Sequence, residues 1–488
     1  MKEQPHVQPH RFRVAMVYPQ GAIQTQMALP PLGLGFLIKY YELHGLHKEQ
    51  VEFRIFDENA RKHLVEDVVA WHPDLVGISA MSFTRSRAFD FATHIRHRLP
   101  KALLIGGGVH FQVDPADGLT CQAFDAVCTG EGEEPLRRII DEVLLGPAGR
   151  QALEHIPNLA WRDVHGHNRK TEHWMMKDLT GLPMPDMERF DLAFYLARRQ
   201  FVPAVFAKST IVLTGRGCPF KCTFCFNSFR DGKVRQHDIQ QVVDHLAHLR
   251  AKYGVRHISI TDDLFLVNRG RVRTFCERII REMPDLRWGC QARPSLIRGD
   301  DLDLFKLMAR AGCIQVNFGF ESGCETVLKA IKGPDASLAK NQRALDLAWE
   351  AGLPVFGYFM CGIPGETEEE MYMTGEFIRK NFKKFRHFEL FIYTPYPGSA
   401  LAEQTRADGL LEGVTIDDLA VNNLVEGEVR VFNRLVPAEK VRQFRQEMKR
   451  MAMAKFPLRD KLRWLWIEGR DNPRRTFKRV VALYKKTS

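Results

Sequence analysis

The sequence predicts an α/β protein: an N-terminal doubly wound parallel sheet of the flavodoxin or Rossmann kind, then a partial six-stranded (β/α) barrel, then a small helical C-terminal region. Three observations predict it. Short apolar strands alternate with helical stretches up to about residue 145. The alternation resumes from about Lys208 to Ala400, with six strands and helices between them. From Leu401 onward the pattern is helical and increasingly basic. The expected domains are therefore 1–145, a connector at 146–207, 208–400 and 401–488.

Arg13-Val-Ala-Met-Val-Tyr18 is a short apolar strand, and Pro30-Pro-Leu-Gly-Leu-Gly-Phe36 opens a helix reaching about His44. Val51 to Phe56 and Asp74-Leu-Val-Gly-Ile-Ser79 are strands, followed by helices from about Ala60 to Trp71 and from Arg85 to Arg98. Ala102-Leu-Leu-Ile-Gly-Gly-Gly108 runs into a glycine loop, Phe124-Asp-Ala-Val127 is a fifth strand, and Glu133 to Leu144 a closing helix. Doubly wound sheets bind ligands at the carboxyl ends of their strands. Loops at those ends are Leu32-Gly33, Ser79 to Thr84, Gly106 to His110 and Gly130-Glu-Gly-Glu133. Gly106, Gly107 and Gly108 in succession let backbone approach a large flat ligand. A nicotinamide site does not fit, because Gly106-Gly-Gly-Val-His-Phe111 lacks the third glycine and follows a late strand. No phosphate-binding Walker A motif is present. In the connector, Leu159-Ala-Trp161 and Thr171-Glu-His-Trp174 flank a predicted hairpin turn, followed by Leu182-Pro-Met-Pro-Asp186.

The second unit has predicted strands at Ile211–Leu213, His257–Ile260, Arg287–Cys290, Ile314–Phe318, Val355–Phe359 and Phe388–Tyr393. Helices are expected at Ile239–Tyr253, Arg271–Arg281, Leu302–Ala311, Leu338–Ala351 and Glu368–Asn381. Directly after its first strand comes Thr214-Gly-Arg-Gly-Cys-Pro-Phe-Lys-Cys-Thr-Phe-Cys-Phe-Asn227. Cys218, Cys222 and Cys225 stand in a C-x3-C-x2-C pattern, with Phe224 before the last. Three thiolates so close on one loop can hold a four-iron cube and leave one iron open. A structural zinc loop is the alternative, but zinc wants four ligands in paired spacing, and His237 sits poorly for the fourth.

At these residues the chain resembles the radical S-adenosylmethionine (SAM) superfamily, whose C-x3-C-x-aromatic-C motif it matches residue for residue. The resemblance implies a [4Fe-4S] cluster whose open iron is chelated by SAM. It implies reductive cleavage of SAM to a 5′-deoxyadenosyl radical that takes a hydrogen atom from substrate. Gly319-Phe-Glu-Ser-Gly323, Cys361-Gly-Ile-Pro-Gly-Glu-Thr367 and Thr394-Pro-Tyr-Pro-Gly-Ser399, each after a strand, resemble further patterns of this superfamily. By that resemblance Glu321 and Ser322 contact the ribose or methionine part of SAM. Gly362, Pro364 and Gly365 pack beside the adenine, and backbone near Tyr393 reads the base. Each is equally readable as a tight turn with a helix cap. Thr261-Asp-Asp263 reads either as an acidic pair near SAM or as another cap, and Arg293 as a partner for a carboxylate.

Pro30-Pro-Leu-Gly-Leu34, Ile105-Gly-Gly-Gly-Val-His110 and Thr129-Gly-Glu-Gly-Glu133, in this order ahead of the cysteine motif, resemble the cobalamin-binding domain fused to many radical SAM enzymes. The resemblance implies cobalamin contacts from Leu32, Gly33, Ser79, Thr84, Gly106, Gly107, Gly108, Val109, Gly130, Glu131 and Gly132. A flavodoxin-like domain without cofactor would carry the same strand pattern. Cobalamin proteins that ligate the metal through His use D-x-H-x-x-G. The nearest match, Asp163-Val-His-Gly-His-Asn168, ends in Asn and falls in the hairpin, so His165 and His167 read as turn residues. Cobalamin is expected without a protein His on cobalt.

The polar start, Met1 to His10, has no signal-peptide core, and no apolar run reaches membrane-spanning length. A cytoplasmic setting with reduced thiols follows as the expectation. The remaining cysteines share no ligand spacing, and none lies beyond Cys361. Net charge is +11, best read as a mildly basic solvated surface. The tail from Arg463 to Lys486 interleaves cations with Trp464 and Trp466, which reads as a solvated helical cap or as peripheral membrane contact.

The expected function is methylation of an unactivated carbon on a small-molecule, lipid or natural-product substrate, with an external electron donor of the flavodoxin or ferredoxin type and no nucleic acid. One rival keeps the cofactors but rearranges or cyclises the substrate. A second is a tRNA methylthiotransferase-like enzyme, disfavoured because only Cys121 and Cys128 precede the second unit. A third, a cobalamin sensor, leaves the cysteine motif without a use.

Overall fold

The computed structural model describes residues 11–20, 29–60, 64–147, 149–196, 208–226, 232–423 and 429–455. The first sheet contains β1 (Phe12–Tyr18), β2 (Val51–Asp57), β3 (Leu75–Ser79), β4 (Leu103–Gly107) and β5 (Ala126–Cys128). The hairpin strands β6 (Leu159–Arg162) and β7 (Asn168–Lys170) extend it. Its order is β2-β1-β3-β4-β5-β6-β7, parallel through β5 and antiparallel beyond. Both faces of its central strands are covered, which is why β1, β3 and β4 read as apolar runs, whereas the edge strand β2 alternates with exposed Glu52 and Arg54. Successive side chains of β1 point to opposite faces. Ala15 and Val17 enter one core, while Val14 and Met16 enter the other.

The sequence placed the fifth strand two residues early. The closing helix is α-helical only at Glu133–Arg138 and continues as a π turn over Ile139–Leu144. The second hairpin arm is Asn168–Lys170, ahead of the expected Thr171 to Trp174. The connector adds two strands to the first sheet. From Met176 to Tyr195 it then packs its apolar residues into the core of the second. Helix Leu32–His44 comes so close that a Cβ on Gly35 would stand 2.7 Å from Pro185.

The second sheet contains β8 (Ser209–Val212), β11 (His257–Ile260), β12 (Arg287–Ala292), β13 (Cys313–Glu321), β14 (Val355–Cys361) and β15 (Phe385–Ile392). A short antiparallel ladder, β9 (Gly215–Arg216) with β10 (Arg235–Gln236), lies between β8 and β11 in the chain. The order β15-β14-β13-β12-β11-β8 is parallel throughout and leaves β8 and β15 as unjoined edges, a partial barrel. Helix Glu325–Lys332 was not anticipated. At eight residues it shows barely two turns of apolar periodicity, Val327, Leu328 and Ile331. After the barrel come helices Ala400–Ala407, Ile416–Val421 and Ala438–Ala454. The basic stretch from Arg463 to Lys486 lies outside the described residues. Among the described residues no helix is long and apolar enough to cross a membrane.

Candidate active site between the two sheets

The cysteine loop is held at both ends. At its start, Asp262 accepts hydrogen bonds from Thr214 N (2.5 Å) and Thr214 Oγ1 (2.6 Å). The Thr261-Asp-Asp263 stretch therefore buttresses the loop through Asp262. Gly217 has φ +92°, and a Cβ there would stand 2.4 Å from Lys233 O, so only glycine suits the position. Further on, Thr223 N donates to Ile331 O (2.8 Å), and Thr223 O accepts from Leu401 N (2.8 Å). The unanticipated helix Glu325–Lys332 thus contributes its last turn to the loop.

Cys218, Cys222 and Cys225 sit within one another's electrostatic field. Burial raises the Cys218 thiol and pushes that of Cys225 up to about 12, with Cys222, Asp263, Cys218 and Glu321 adding to the latter. Among the described residues, no three His, Cys, Asp or Glu side chains converge on a single ion. His237 is turned elsewhere: its Nδ1 lies 3.0 Å from Leu182 O and its ring stacks on Phe36.

Glu321 ends β13 with φ +65°, an uncommon conformation for a side-chain-bearing residue and one that clusters at functional sites. Its carboxylate lies 3.6 Å from Lys332 Nζ, and the same ammonium donates to Gly319 O. Burial raises Glu321 and lowers Lys332. Ser322 is fully buried; its hydroxyl accepts from Cys324 N (3.0 Å) and pairs with Thr374 Oγ1 (3.2 Å). Gly362 (φ +66°) and Gly365 (φ +82°) shape the loop after β14, with Pro364 between them. Glu366 accepts from Gly362 N (2.7 Å) and Ile363 N (3.2 Å), and burial pushes its carboxyl up to about 8. Phe224 and Tyr393 line a cavity of about 410 Å³ together with Phe83, Met360, Phe391 and Tyr396.

A second cavity, of about 540 Å³, lies where the first sheet meets the barrel. Leu32, Gly33, Ser79, Gly107, Gly108, Val109, Gly130, Glu131 and Gly132 line it from one side, and Arg216, Gly217, Thr261 and Asp263 from the other. It opens over the carboxyl ends of β1 and β3, where the strand order reverses, the usual ligand position of such sheets. A Cβ on Gly33 or Gly107 would meet no atom within 4 Å, so both glycines face open space. Apolar walls from Met16, Ile78 and Ile105 and bare backbone below them fit the face of a corrin ring. No histidine is among the described residues lining it.

Two expected contacts are elsewhere. Thr84 is buried, with its hydroxyl accepting from Met81 N (2.9 Å), and Met81 lines the cavity instead. Gly106 faces the packed core, where a Cβ would stand 2.9 Å from Phe111. Glu131 reaches the cavity wall, yet its carboxylate is committed to Arg216 (3.1 Å), Arg235 (3.0 Å) and Met176 N (2.7 Å). Arg216 also pairs with Glu133 (2.7 Å). This buried set joins the glycine loop of the first sheet to the start of the cysteine loop. Sequence reasoning missed Arg216 and Arg235, and partners 85 and 104 residues apart leave no local signal. Cys121 and Cys128 are buried in the cores on opposite faces of the first sheet, so they do not form a second ligand set.

The fold and the site define a radical SAM barrel joined to a cobalamin-binding sheet. Residues 22–140 match the B12 binding domain, and residues 212–378 match the Radical SAM superfamily. The chain thus carries a B12-binding domain followed by a radical SAM domain, and the pair implies a [4Fe-4S] cluster, SAM and cobalamin as cofactors. It is 28% identical over 443 residues to an uncharacterized methyltransferase of Pyrococcus horikoshii, covering 89% of each chain. It is 24% identical over 403 residues to the anaerobic magnesium-protoporphyrin IX monomethyl ester cyclase of Cereibacter sphaeroides, covering 81% of this chain and 64% of that protein. Its fold is similar to that of the cobalamin-dependent SAM radical enzyme OxsB with aqua-cobalamin and SAM bound. The TM-score there is 0.69 at 15% identity, over 83% of this chain and 62% of OxsB.

Proposed function

We propose that the protein transfers a methyl group to an unactivated carbon of a small-molecule, lipid or natural-product substrate. The observation carrying this reading is the shared 540 Å³ cavity, whose walls come from the glycine loops of one sheet and from Arg216, Gly217 and Asp263 beside the cysteine loop. When bound, the cofactors supply a reducing electron, a hydrogen-abstracting radical and a transferable methyl group. The chain's own part is to hold them in line, the positioning role that binding energy serves.

In this reading Cys218, Cys222 and Cys225 hold three irons. Asp263, whose side chain is open to the cavity, lies near SAM or substrate. The loop carrying Gly362, Pro364 and Gly365, with Phe224 and Tyr393, packs against the adenine, while Glu321 and Ser322 shape the ribose side. Gly33, Gly107, Gly108 and Gly132 let backbone lie against the corrin, and cobalt takes no protein imidazole. An external flavodoxin or ferredoxin donates the electron in the cytoplasm. The basic C-terminal stretch is read first as a solvated helical cap over the barrel mouth and second as a peripheral membrane contact.

The test uses SAM labelled in its methyl group, with reductant and candidate substrates. Product should gain one labelled methyl, and deoxyadenosine and S-adenosylhomocysteine should form together. Productive turnover with deoxyadenosine but no homocysteine product and no mass gain would replace methyl transfer by a cyclisation or rearrangement. The similarity to a cyclase over 81% of the chain keeps that second reading in view.

A further inference from the structure

Arg293 follows β12 and is 5% exposed. Its guanidinium is held from every side. Nε donates to Ser295 Oγ (2.7 Å), and Nη2 donates to Lys332 O (2.7 Å) and Asp335 Oδ1 (3.1 Å). Its face lies over the Phe220 ring, 3.9 Å from the centroid. The remaining nitrogen, Nη1, donates to Cys222 Sγ (2.9 Å). Turning toward another ligand would sacrifice these bonds inside a buried site, where each is costly to leave unmade. Arg293 is thus a fixed part of the cysteine-loop seat.

We propose that Arg293 tunes the reduction potential of the iron–sulfur cluster through its N–H bond to the Cys222 sulfur, with Asp335 opposing it. Reduction adds one electron to the cluster. A cationic donor on a ligand sulfur stabilises that extra negative charge and raises the potential. The low dielectric of the site strengthens the effect. Asp335, about two-fifths exposed, partly neutralises the guanidinium from the solvent side and so acts in the opposite sense. The proposal rests on the three cysteines holding the cluster, and iron content, measured first, separates that premise from the tuning itself.

The full chain is reconstituted anaerobically, its iron and sulfide are counted, and the paramagnetic signal of the reduced cluster is followed through a potentiometric titration. Arg293→Met should lower the midpoint by the equivalent of roughly tenfold in the reduction equilibrium, about 59 mV for one electron. Arg293→Lys should fall between this variant and the wild type. Asp335→Asn should raise the midpoint. A purely structural anchor predicts lower iron content without this pair of opposite shifts. Full iron content with an unchanged midpoint in Arg293→Met overturns the proposal, and so does a downward shift in Asp335→Asn. If Arg293→Met fails to hold iron, the other two variants decide: wild-type midpoints in both overturn it.

Discussion

Cys222 accepts a hydrogen bond from the buried Arg293 guanidinium. Cys222→Ala should therefore abolish both the brown chromophore and SAM cleavage, read by iron content and deoxyadenosine formation. Retention of a full cluster would remove the basis of the site. Glu366 makes a different prediction. Burial raises its carboxyl from 4.5 when unfolded to about 8 when folded. Folding favours the protonated form, so its contribution is full below the unfolded value and is lost as pH rises through the folded one. Glu366→Gln mimics the neutral acid and can still accept from Gly362 N and Ile363 N. Between about pH 6 and about pH 9, the thermal midpoint of the wild type should fall more than that of the variant.

Among the elements, the glycine loop after β4 combines a constraint with an opening. Gly108 has φ +93°, and a Cβ there would stand 2.6 Å from Ala80 O, so backbone geometry demands glycine. Gly107 is free of such contact and borders the cavity. Gly107→Leu should change folding stability by no more than about 0.5 kcal/mol. It should weaken cobalamin binding at least tenfold, about 1.4 kcal/mol, by filling the space a corrin needs. Equilibrium titration followed by corrin absorbance checks the second point, and chemical denaturation the first. Helix Glu325–Lys332 acts similarly for the cluster: its final carbonyls, Ile331 O and Lys332 O, accept from Thr223 N and Arg293 Nη2.

At the scale of the whole molecule, the two sheets are joined by a buried ion-pair set. Arg216, Glu131, Glu133 and Arg235 all have side chains under 10% exposed. Such pairs contribute little against a well-packed apolar replacement, but losing one partner strands a charge. Arg216→Met leaves the Glu133 carboxylate unpaired and should cost about 3–5 kcal/mol in denaturant unfolding of the cofactor-free chain. Arg216→Met combined with Glu133→Gln should recover part of that loss, because the stranded charge is gone. A single variant as stable as the wild type would show that the junction does not depend on these charges.

Much of this was legible in the sequence because it is local. Apolar strands with helices between them predicted both sheets, since a strand buried on two faces must be apolar throughout. The C-x3-C-x2-C motif marked the candidate cluster seat because three ligands of one loop need only short spacing. Glycine runs at strand ends marked a close backbone approach. Orientation was not local. A glycine run does not say which residue faces the ligand, and tertiary packing turned Gly106 into the core against Phe111 while opening Gly107 to the cavity. Thr84 carried no sign that its hydroxyl would cap a turn at Met81. Glu131 lines the cavity as expected, but its carboxylate is held by Arg216 and Arg235, which come from 85 and 104 residues away. Arg293 suggested a carboxylate partner. The fold supplied Asp335, but it also placed Cys222 on the other branch of the guanidinium. Sequence alone determined what could be built from neighbours in the chain, while only the tertiary structure decided pairings between distant residues, because their energy exists only once two faces have closed on each other.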